Sequence, residues 1–368
     1  MKAAKIFVPA QTPYPKDIRS LTSLRFFAAL SIVIFHYTLE VDSLYNGLPG
    51  RFYTGVDFFF ILSGFILTHS YITGIEQGTF SARTFYVKRF ARIYPVHILT
   101  LILSALTTAA TLTIWGVGFD SGDSLNCLTT SVLMIQAWGL HAKPCFNNPS
   151  WSISAEWFAY LLFPFLAVWA LKRQPTTVMT VSASALILLC AFFFILGKPF
   201  THLTTFGFIR IVPDFVLGIG LYLFGRKYTL KDTRKGLFYG VVGALFLAFI
   251  ANIPDAVIIL IYAAIIFVAA ENDRHGISGA LQGERPVYWG EASYSLYMLH
   301  NVFWEALPVP VMMRTLDGSK TFDTPFLIAC FIALALTFYF SHITYKYLER
   351  PARSWITKKY ARPKKTET

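Results

Sequence analysis

Long apolar runs dominate this sequence, and only short polar segments separate them. Most of the runs have about the 20 residues that an α-helix needs to cross the hydrocarbon core of a bilayer. Only 14% of the residues are charged, whereas soluble domains carry about 25%. The pattern predicts an all-α, polytopic membrane protein whose helical bundle is built from the runs 20–39, 55–74, 93–113, 128–139, 152–171, 178–197, 208–224, 235–251, 255–270, 288–308 and 325–347.

The run 128–139 decides the topology, because it is too short to cross about 30 Å of hydrocarbon as a helix. If it stays on one side, the basic segments between the longer runs all lie on the side of the N-terminal lysines. If it crosses, that bias disappears, although cytoplasmic loops are normally rich in Lys and Arg. We therefore predict ten transmembrane helices, cytoplasmic termini, and a short non-spanning outer helix near 128–139. The basic segments contain Arg83, Lys88, Arg89 and Arg92; Lys172 and Arg173; Arg226, Lys227, Lys231, Arg234 and Lys235; and Arg350 to Lys365.

This topology divides the chain into a cytoplasmic N-terminal segment (1–19), a membrane domain (20–352) and a basic cytoplasmic tail (353–368). We expect the first 18 residues to be retained, because they lack an apolar run long enough for a signal peptide. The net charge of +12 is accounted for by the cytoplasmic segments. We therefore expect contact with membrane lipid and no binding of nucleic acid.

Two of the four cysteines, Cys127 and Cys145, flank the short outer run. On an oxidising outer face they could form a disulfide, worth about 3 kcal/mol for a loop of this length. Two unpaired cysteines in a loop are the alternative, and the sequence does not decide between them.

The first run contains two ionisable residues, Arg25 and His36, eleven positions apart. At about 100° per residue this is about three turns, so the side chains share one helix face about 16 Å apart along the axis. Ionisable groups inside a membrane normally face the bundle interior, a water-filled cavity or a substrate path. This face is therefore the first candidate for a catalytic site. A histidine merely hydrogen-bonded to a neighbouring helix is the simpler alternative.

Other intramembrane polar residues lie toward the predicted outer side. Asp57 and Glu156 could each stabilise the start of their own helix, where a carboxylate is favoured by the dipole. Arg210 and Asp214 are spaced i, i+4 and most simply form an intrahelical ion pair. His300, just past the midplane of its run, can be read equally as structural or functional.

A basic cluster of Lys88, Arg89 and Arg92 lies on the predicted cytoplasmic side, near Arg25. Such a cluster usually anchors a protein to lipid phosphates. Guanidinium groups also bind phosphates bidentately, so the cluster could hold a phosphate-rich donor such as coenzyme A.

At these residues the chain resembles the membrane acyltransferase-3 family, which O-acylates bacterial surface and exported sugars. The resemblance reaches from residue 20 to about residue 352, and the supporting polar residues Ser63, Trp151 and Tyr297 lie in the matching stretches. These stretches, in order, are Arg25-x10-His36, Gly55-VDFFFILSGFIL-Thr68, Lys88-RFARIYP, Ser150-WSISAEW-Phe158, Arg210-IVPDFVLG, Ser293-YSLYMLH and Leu348-ERP.

The resemblance implies ten spans in the bacterial cytoplasmic (inner) membrane and transfer of an acyl group, most often acetyl, from cytoplasmic acyl-CoA. The acceptor would be a hydroxyl of a sugar or glycan on the outer side, and no metal is expected. Arg25 and His36 would be essential, with Glu156 and the cluster 88–92 contributing. Some relatives carry an appended hydrolase-like domain, and this chain is expected to act without one.

In the resulting hypothesis His36 is a general base or an acyl carrier, oriented by a carboxylate such as Glu156. The main rival is a transporter or flippase of lipid-linked sugars, which would also need polar residues at mid-depth. A second rival is the other large class of membrane-bound O-acyltransferases, for which His300 would be the natural catalytic residue, but the rest of the chain does not match that class.

Overall fold

The computed structural model describes residues 6–38, 47–115, 125–197, 200–231, 235–309, 311 and 324–361. These ranges are mainly helical, which confirms the predicted all-α bundle. In chain order the described helices are α1 (Arg19–Thr38), α2 (Gly55–Glu76), α3 (Ala82–Trp115), α4 (Leu125–Val132), α5 (Trp151–Leu171), α6 (Pro175–Ile195), α7 (Gly207–Lys227), α8 (Lys235–Ile250), α9 (Asp255–Arg274), α10 (Glu284–Ala306), α11 (Thr324–Thr344) and α12 (Arg350–Tyr360).

Short elements join these helices. Strands β1 (Phe7–Pro9) and β2 (Tyr228–Leu230) form an antiparallel pair that fastens the segment before α1 to the end of α7. The remaining short elements are the 3-10 helices Leu48–Thr54, Asn148–Ser150, Phe200–Thr204 and Ala280–Gln282, and a π-helical turn at Tyr345–Glu349.

Eight stretches of the described chain are long and apolar enough to cross a membrane by length and composition, and they contain α1, α2, α3, α5, α6, α7, α9 and α11. The other two predicted spans correspond to α8, which has 16 residues, and α10, which carries charged residues at both ends and near its middle. The predicted count of ten therefore stays a prediction.

The short helix predicted at 128–139 has different bounds, because α4 ends at Val132. Met134 takes a left-handed conformation with φ 58°. The backbone N–H groups of Met134 and Ile135 donate to the carbonyls of Ser131 and Thr130 at 3.0 and 2.9 Å. This arrangement closes a helix C-terminus, so the apolar residues that follow form turns.

Two pairs of helices meet at glycines, where their backbones touch. A Cβ atom on Gly64 of α2 would lie 2.0 Å from the carbonyl oxygen of Phe215 on α7, and one on Gly290 of α10 would lie 1.9 Å from that of Thr22 on α1. Small residues permit such close approach between membrane helices. These contacts fix α2 against α7 and α1 against α10, the four helices that carry most of the predicted site.

The bundle has two ends. We call the end with the β1–β2 pair, the start of α1 and α12 the terminal face; α12 is held there by a hydrogen bond from Thr84 Oγ1 to the carbonyl of Ala361 at 2.9 Å. We call the opposite end, with α4 and the start of α5, the disulfide face. Cys127 and Cys145 are bonded there, with their Cα atoms 5.6 Å apart.

Candidate active site

Helix α1 carries Arg25 and His36 into two successive cavities. Arg25 lies near the start of the helix and His36 two residues from its end. The arginine cavity has a volume of about 120 Å³ and the histidine cavity about 240 Å³. The arginine cavity is lined by Arg25, Ser63, Arg89, Arg92, Glu156 and Tyr160 among others; the histidine cavity by His36, Tyr53, Asn148, Trp151 and Arg210 among others.

Guanidinium groups dominate the arginine cavity. Arg25 is half-buried and makes no side-chain hydrogen bond within the described chain. Arg89 lies over the rings of Tyr71 and Tyr160, with its Cζ 5.8 and 5.9 Å from their centroids, and its Nε has no hydrogen-bond partner among the described residues. Lys88, predicted to act with these arginines, does not line this cavity.

Arg92 has a partner that the sequence did not identify, Glu349. The two side chains form an ion pair, and the second oxygen of the buried Glu349 accepts a hydrogen bond from Ser295 Oγ at 2.6 Å. Glu349 belongs to the matching stretch Leu348-ERP. A lone carboxylate in a basic segment was the sequence signal that could have identified it as a partner for a cation. It is held at the π-helical turn before α12, and it orients the guanidinium of Arg92.

Glu156 lies in the arginine cavity and not beside His36. Its Oε1 accepts hydrogen bonds from Ser63 Oγ at 2.6 Å and from the hydroxyl of Tyr160 at 2.5 Å. The hypothesis that Glu156 orients His36 is therefore wrong for this structure. The reason is topological: Glu156 is more than one turn into α5 from the disulfide face, and its side chain points toward the arginines.

His300 is the side chain that meets His36. The Nε2 atom of His300 lies 3.2 Å from Nδ1 of His36, and the ring centroids are 4.9 Å apart. The Nδ1 atom of His36 also lies 2.9 Å from the carbonyl oxygen of Ile32, and Nδ1 of His300 lies 2.5 Å from that of Tyr297.

These contacts assign the ring protons. A carbonyl oxygen only accepts, so each Nδ1 carries a hydrogen. The Nε2 atom of His300 is then unprotonated and accepts from Nδ1–H of His36, which it shares with the carbonyl of Ile32. Within the described chain, the Nε2 atom of His36 is left with a lone pair that accepts no hydrogen bond, the form that a general base requires.

Arg210 pairs with Asp57 of α2 and not with Asp214 of its own helix, so the predicted intrahelical pair is wrong. Nε and Nη2 of Arg210 each donate to one oxygen of Asp57 at 2.7 Å. This two-bond geometry is the preferred match between a guanidinium and a carboxylate, and the close contact of α2 with α7 brings it within reach. Within the described chain, neither oxygen of the buried Asp214 has a hydrogen-bond partner. Arg210 also lies over the ring of Trp151, with Cζ 5.3 Å from its centroid.

Tyr297 and Val56 line both cavities. The hydroxyl of Tyr297 lies 2.9 Å from the carbonyl oxygen of Pro149 and 2.8 Å from Oγ of Ser152. Apart from Lys88 and Asp214, which line neither cavity, the predicted residues thus separate into two groups, one around Arg25 and one around His36, that meet at Tyr297.

Comparisons with known proteins identify the family of this chain. A family model described as an acyltransferase domain matches residues 18–346. Acyltransferase MdmB of Streptomyces mycarofaciens is 28% identical over 330 residues, which cover 78% of this chain and 79% of that protein. "Protein 2 in picA locus" of Rhizobium radiobacter is 30% identical over 198 residues, covering 50% of this chain and 100% of that protein.

A longer relative is "Putative peptidoglycan O-acetyltransferase YrhL" of Bacillus subtilis (strain 168). It is 23% identical over 390 residues, which cover 96% of this chain but 57% of that protein. No solved structure matches this chain. On the match over residues 18–346, this chain belongs to the acyltransferase-3 family and is a membrane-type acyltransferase.

Proposed function

We propose that this protein transfers an acyl group, most simply acetyl, from cytoplasmic acyl-CoA to a hydroxyl of a sugar or glycan on the outer side of the bacterial inner membrane. One observation carries the proposal. A single helix, α1, presents a cation to one cavity and a histidine with a free Nε2 lone pair to the next, so a donor and an acceptor can approach from opposite ends.

The donor would bind at the arginine cavity, from the terminal face. Arg25, Arg89 and Arg92 outnumber the two nearby carboxylates, Glu156 and Glu349, so an anion is favoured there. The cavity of about 120 Å³ is much smaller than the roughly 300–1,000 Å³ of pockets that enclose a drug-sized molecule. Only the thioester arm would therefore enter, with the nucleotide outside on the basic surface.

The acceptor would bind in the histidine cavity, where Trp151 offers an aromatic face and Asn148 an amide. Nε2 of His36 takes the proton of the acceptor hydroxyl, and the hydroxyl oxygen attacks the thioester carbonyl carbon. The new C–O bond forms, the C–S bond breaks, and the departing thiolate takes the proton from His36. His300 holds the Nδ1 proton of His36 throughout and shares the positive charge that develops on the imidazole. An acyl group carried first on His36 is the alternative course of the same reaction.

The test uses proteoliposomes loaded with radiolabelled acetyl-CoA, with isolated glycan outside. We expect labelled glycan from the wild-type protein, and at least 10-fold slower labelling by His36→Ala or Arg25→Ala protein present at equal amounts in the membrane. The matched controls are His342→Ala and Arg226→Ala, at residues outside both cavities. Full activity of His36→Ala protein would contradict the mechanism. Movement of a lipid-linked sugar without any acyl donor would instead favour the transporter class.

The proposed orientation places both termini and the terminal face in the cytoplasm, because basic segments concentrate there. Alkylation of single cysteines introduced at Lys16 and at Lys143 in intact cells tests it. A membrane-impermeant reagent should label the cysteine at 143 and leave the cysteine at 16 unlabelled until the cells are opened.

A further inference from the structure

The arginine cavity and the histidine cavity share two lining side chains, which together form a layer between them. Val56 of α2 and Tyr297 of α10 belong to the lining of both, so each side chain presents one surface to the arginine cavity and another to the histidine cavity. Both residues are buried, at 6% and 5% exposure. Any acyl group that moves from the arginines to His36 has to pass this layer.

Tyr297 is held in place by hydrogen bonds at its tip. Its hydroxyl contacts the carbonyl oxygen of Pro149 and Oγ of Ser152, and Oγ of Ser152 also reaches the carbonyl of Pro149 at 2.9 Å. The hydroxyl groups of Tyr297 and Ser152 have two hydrogens between them for these three contacts, so the hydroxyl of Tyr297 can exchange partners. Movement of the ring requires that these contacts break and that its packing against Phe59 and His300 changes, and the ring has a cavity on either side into which it could move.

The backbone of Tyr297 contacts the proposed catalytic pair of His36 and His300 through His300. Its carbonyl oxygen accepts the Nδ1 proton of His300, and His300 contacts His36. The ring of Tyr297 lies 5.7 Å from that of His300, centroid to centroid. Movement of the Tyr297 ring would therefore change its contact with His300, the residue that orients His36.

We propose that Tyr297, backed by Val56, is a gate that seals the arginine cavity from the histidine cavity and restricts passage to short acyl groups. Two cavities that approach each other from opposite faces of a membrane protein need such a seal, because a continuous polar path between them would conduct protons. A narrow constriction can close such a path. The selection of acyl groups rests on the proposed function; the seal does not.

The seal is tested without any acyl donor. Purified protein is reconstituted into vesicles containing a pH-sensitive dye, and proton entry is followed after an external pH step. We expect wild-type and Tyr297→Phe vesicles to be tight, because both keep the ring, and Tyr297→Ala vesicles to take up protons at least 10-fold faster. Tyr222→Ala is the matched control, since Tyr222 is a buried tyrosine outside both cavities. Tight Tyr297→Ala vesicles would overturn the proposal.

A second variant tests the seal if Tyr297→Ala protein does not fold. Val56→Ala thins the same layer from α2, and we expect a smaller leak than with Tyr297→Ala. If Tyr297→Ala protein does not accumulate, tight vesicles with Val56→Ala protein overturn the seal.

Selection is tested with acetyl-, butyryl- and octanoyl-CoA. We expect Tyr297→Ala to raise the ratio of kcat/KM for octanoyl-CoA to that for acetyl-CoA at least 10-fold, and Tyr222→Ala to leave it unchanged. An unchanged ratio in Tyr297→Ala protein overturns the selective role. If the wild-type protein uses no acyl-CoA, the proposed function fails, and the proton measurement still decides whether the seal exists.

Discussion

The arginine cavity and the histidine cavity lie on the same helix but handle charge in opposite ways. Around Arg25 the guanidinium groups exceed the carboxylates, and Arg25 makes no side-chain hydrogen bond within the described chain. Among the described residues that line the histidine cavity, the cation is Arg210, which is matched by two bonds to Asp57, and His36 contacts His300. An uncompensated cation attracts an anion, whereas a compensated and hydrogen-bonded site suits proton transfer. The proposed function accordingly assigns donor binding to the arginine cavity and chemistry to the histidine cavity.

The substitution His36→Ala gives the strongest test of this difference between the two cavities. We expect kcat to fall by about 10²- to 10⁴-fold, the usual contribution of a general base, while the Kd for acetyl-CoA stays unchanged. Acyl transfer measures the first quantity and calorimetric titration with acetyl-CoA the second. A large loss of donor affinity would mean that the two cavities do not divide the work.

Arg25→Ala should give the complementary result. A hydrogen bond to a charged group contributes about 1.5–3 kcal/mol, so donor affinity should fall by about 10- to 150-fold. Arg25→Lys should recover part of that loss, because it keeps the charge but not the fork of donors. Both effects should shrink as the salt concentration rises. Unchanged donor affinity in Arg25→Ala protein would refute a donor-binding role for this residue.

His300→Ala removes the acceptor that holds Nδ1–H of His36. We expect kcat to fall by about 10- to 100-fold, part of what the base itself contributes, with donor affinity unchanged. His300→Gln should recover activity, because its amide oxygen can accept the same hydrogen, and the pH profile of kcat should shift in the alanine variant. Equal activities of the alanine and glutamine variants would show that His300 only fills space.

The smallest expected effect on activity is that of Glu349→Gln. The variant weakens the hold on Arg92 without removing a charge that touches the donor. We expect the KM for acetyl-CoA to change by about 2- to 10-fold, the range of one hydrogen bond, with kcat preserved. Glu76→Gln is the control, since Glu76 pairs with Arg226 on the exposed surface. A change in kcat alone would place Glu349 in the chemistry instead.

The sequence predicted the helices well because membrane thickness sets the length of an apolar run. The period of the helix also placed Arg25 and His36 on one face, and both line cavities. Their partners were not predictable in this way. Asp57 and Arg210 are 153 positions apart, and His36 and His300 are 264 positions apart.

Those pairings depend on how the helices cross. The crossings depend in turn on contacts such as Gly64 against Phe215, which no periodic pattern specifies. The wrong interpretation of Arg210 with Asp214 has the same origin: local spacing was visible in the sequence, and the competing carboxylate on α2 was not.

Gly290 shows how far such a contact acts. Its position against the carbonyl of Thr22 lies near the terminal face, ten residues before His300, or about 15 Å along α10. The helices α1 and α10 touch there, so their separation at this contact affects the separation of their other ends. A methyl group at Gly290 would push the two helices apart, and His36 and His300 would separate toward the other ends of these helices although neither residue had been altered. The distance between His36 and His300 thus depends on the absence of a side chain at Gly290, near the terminal face.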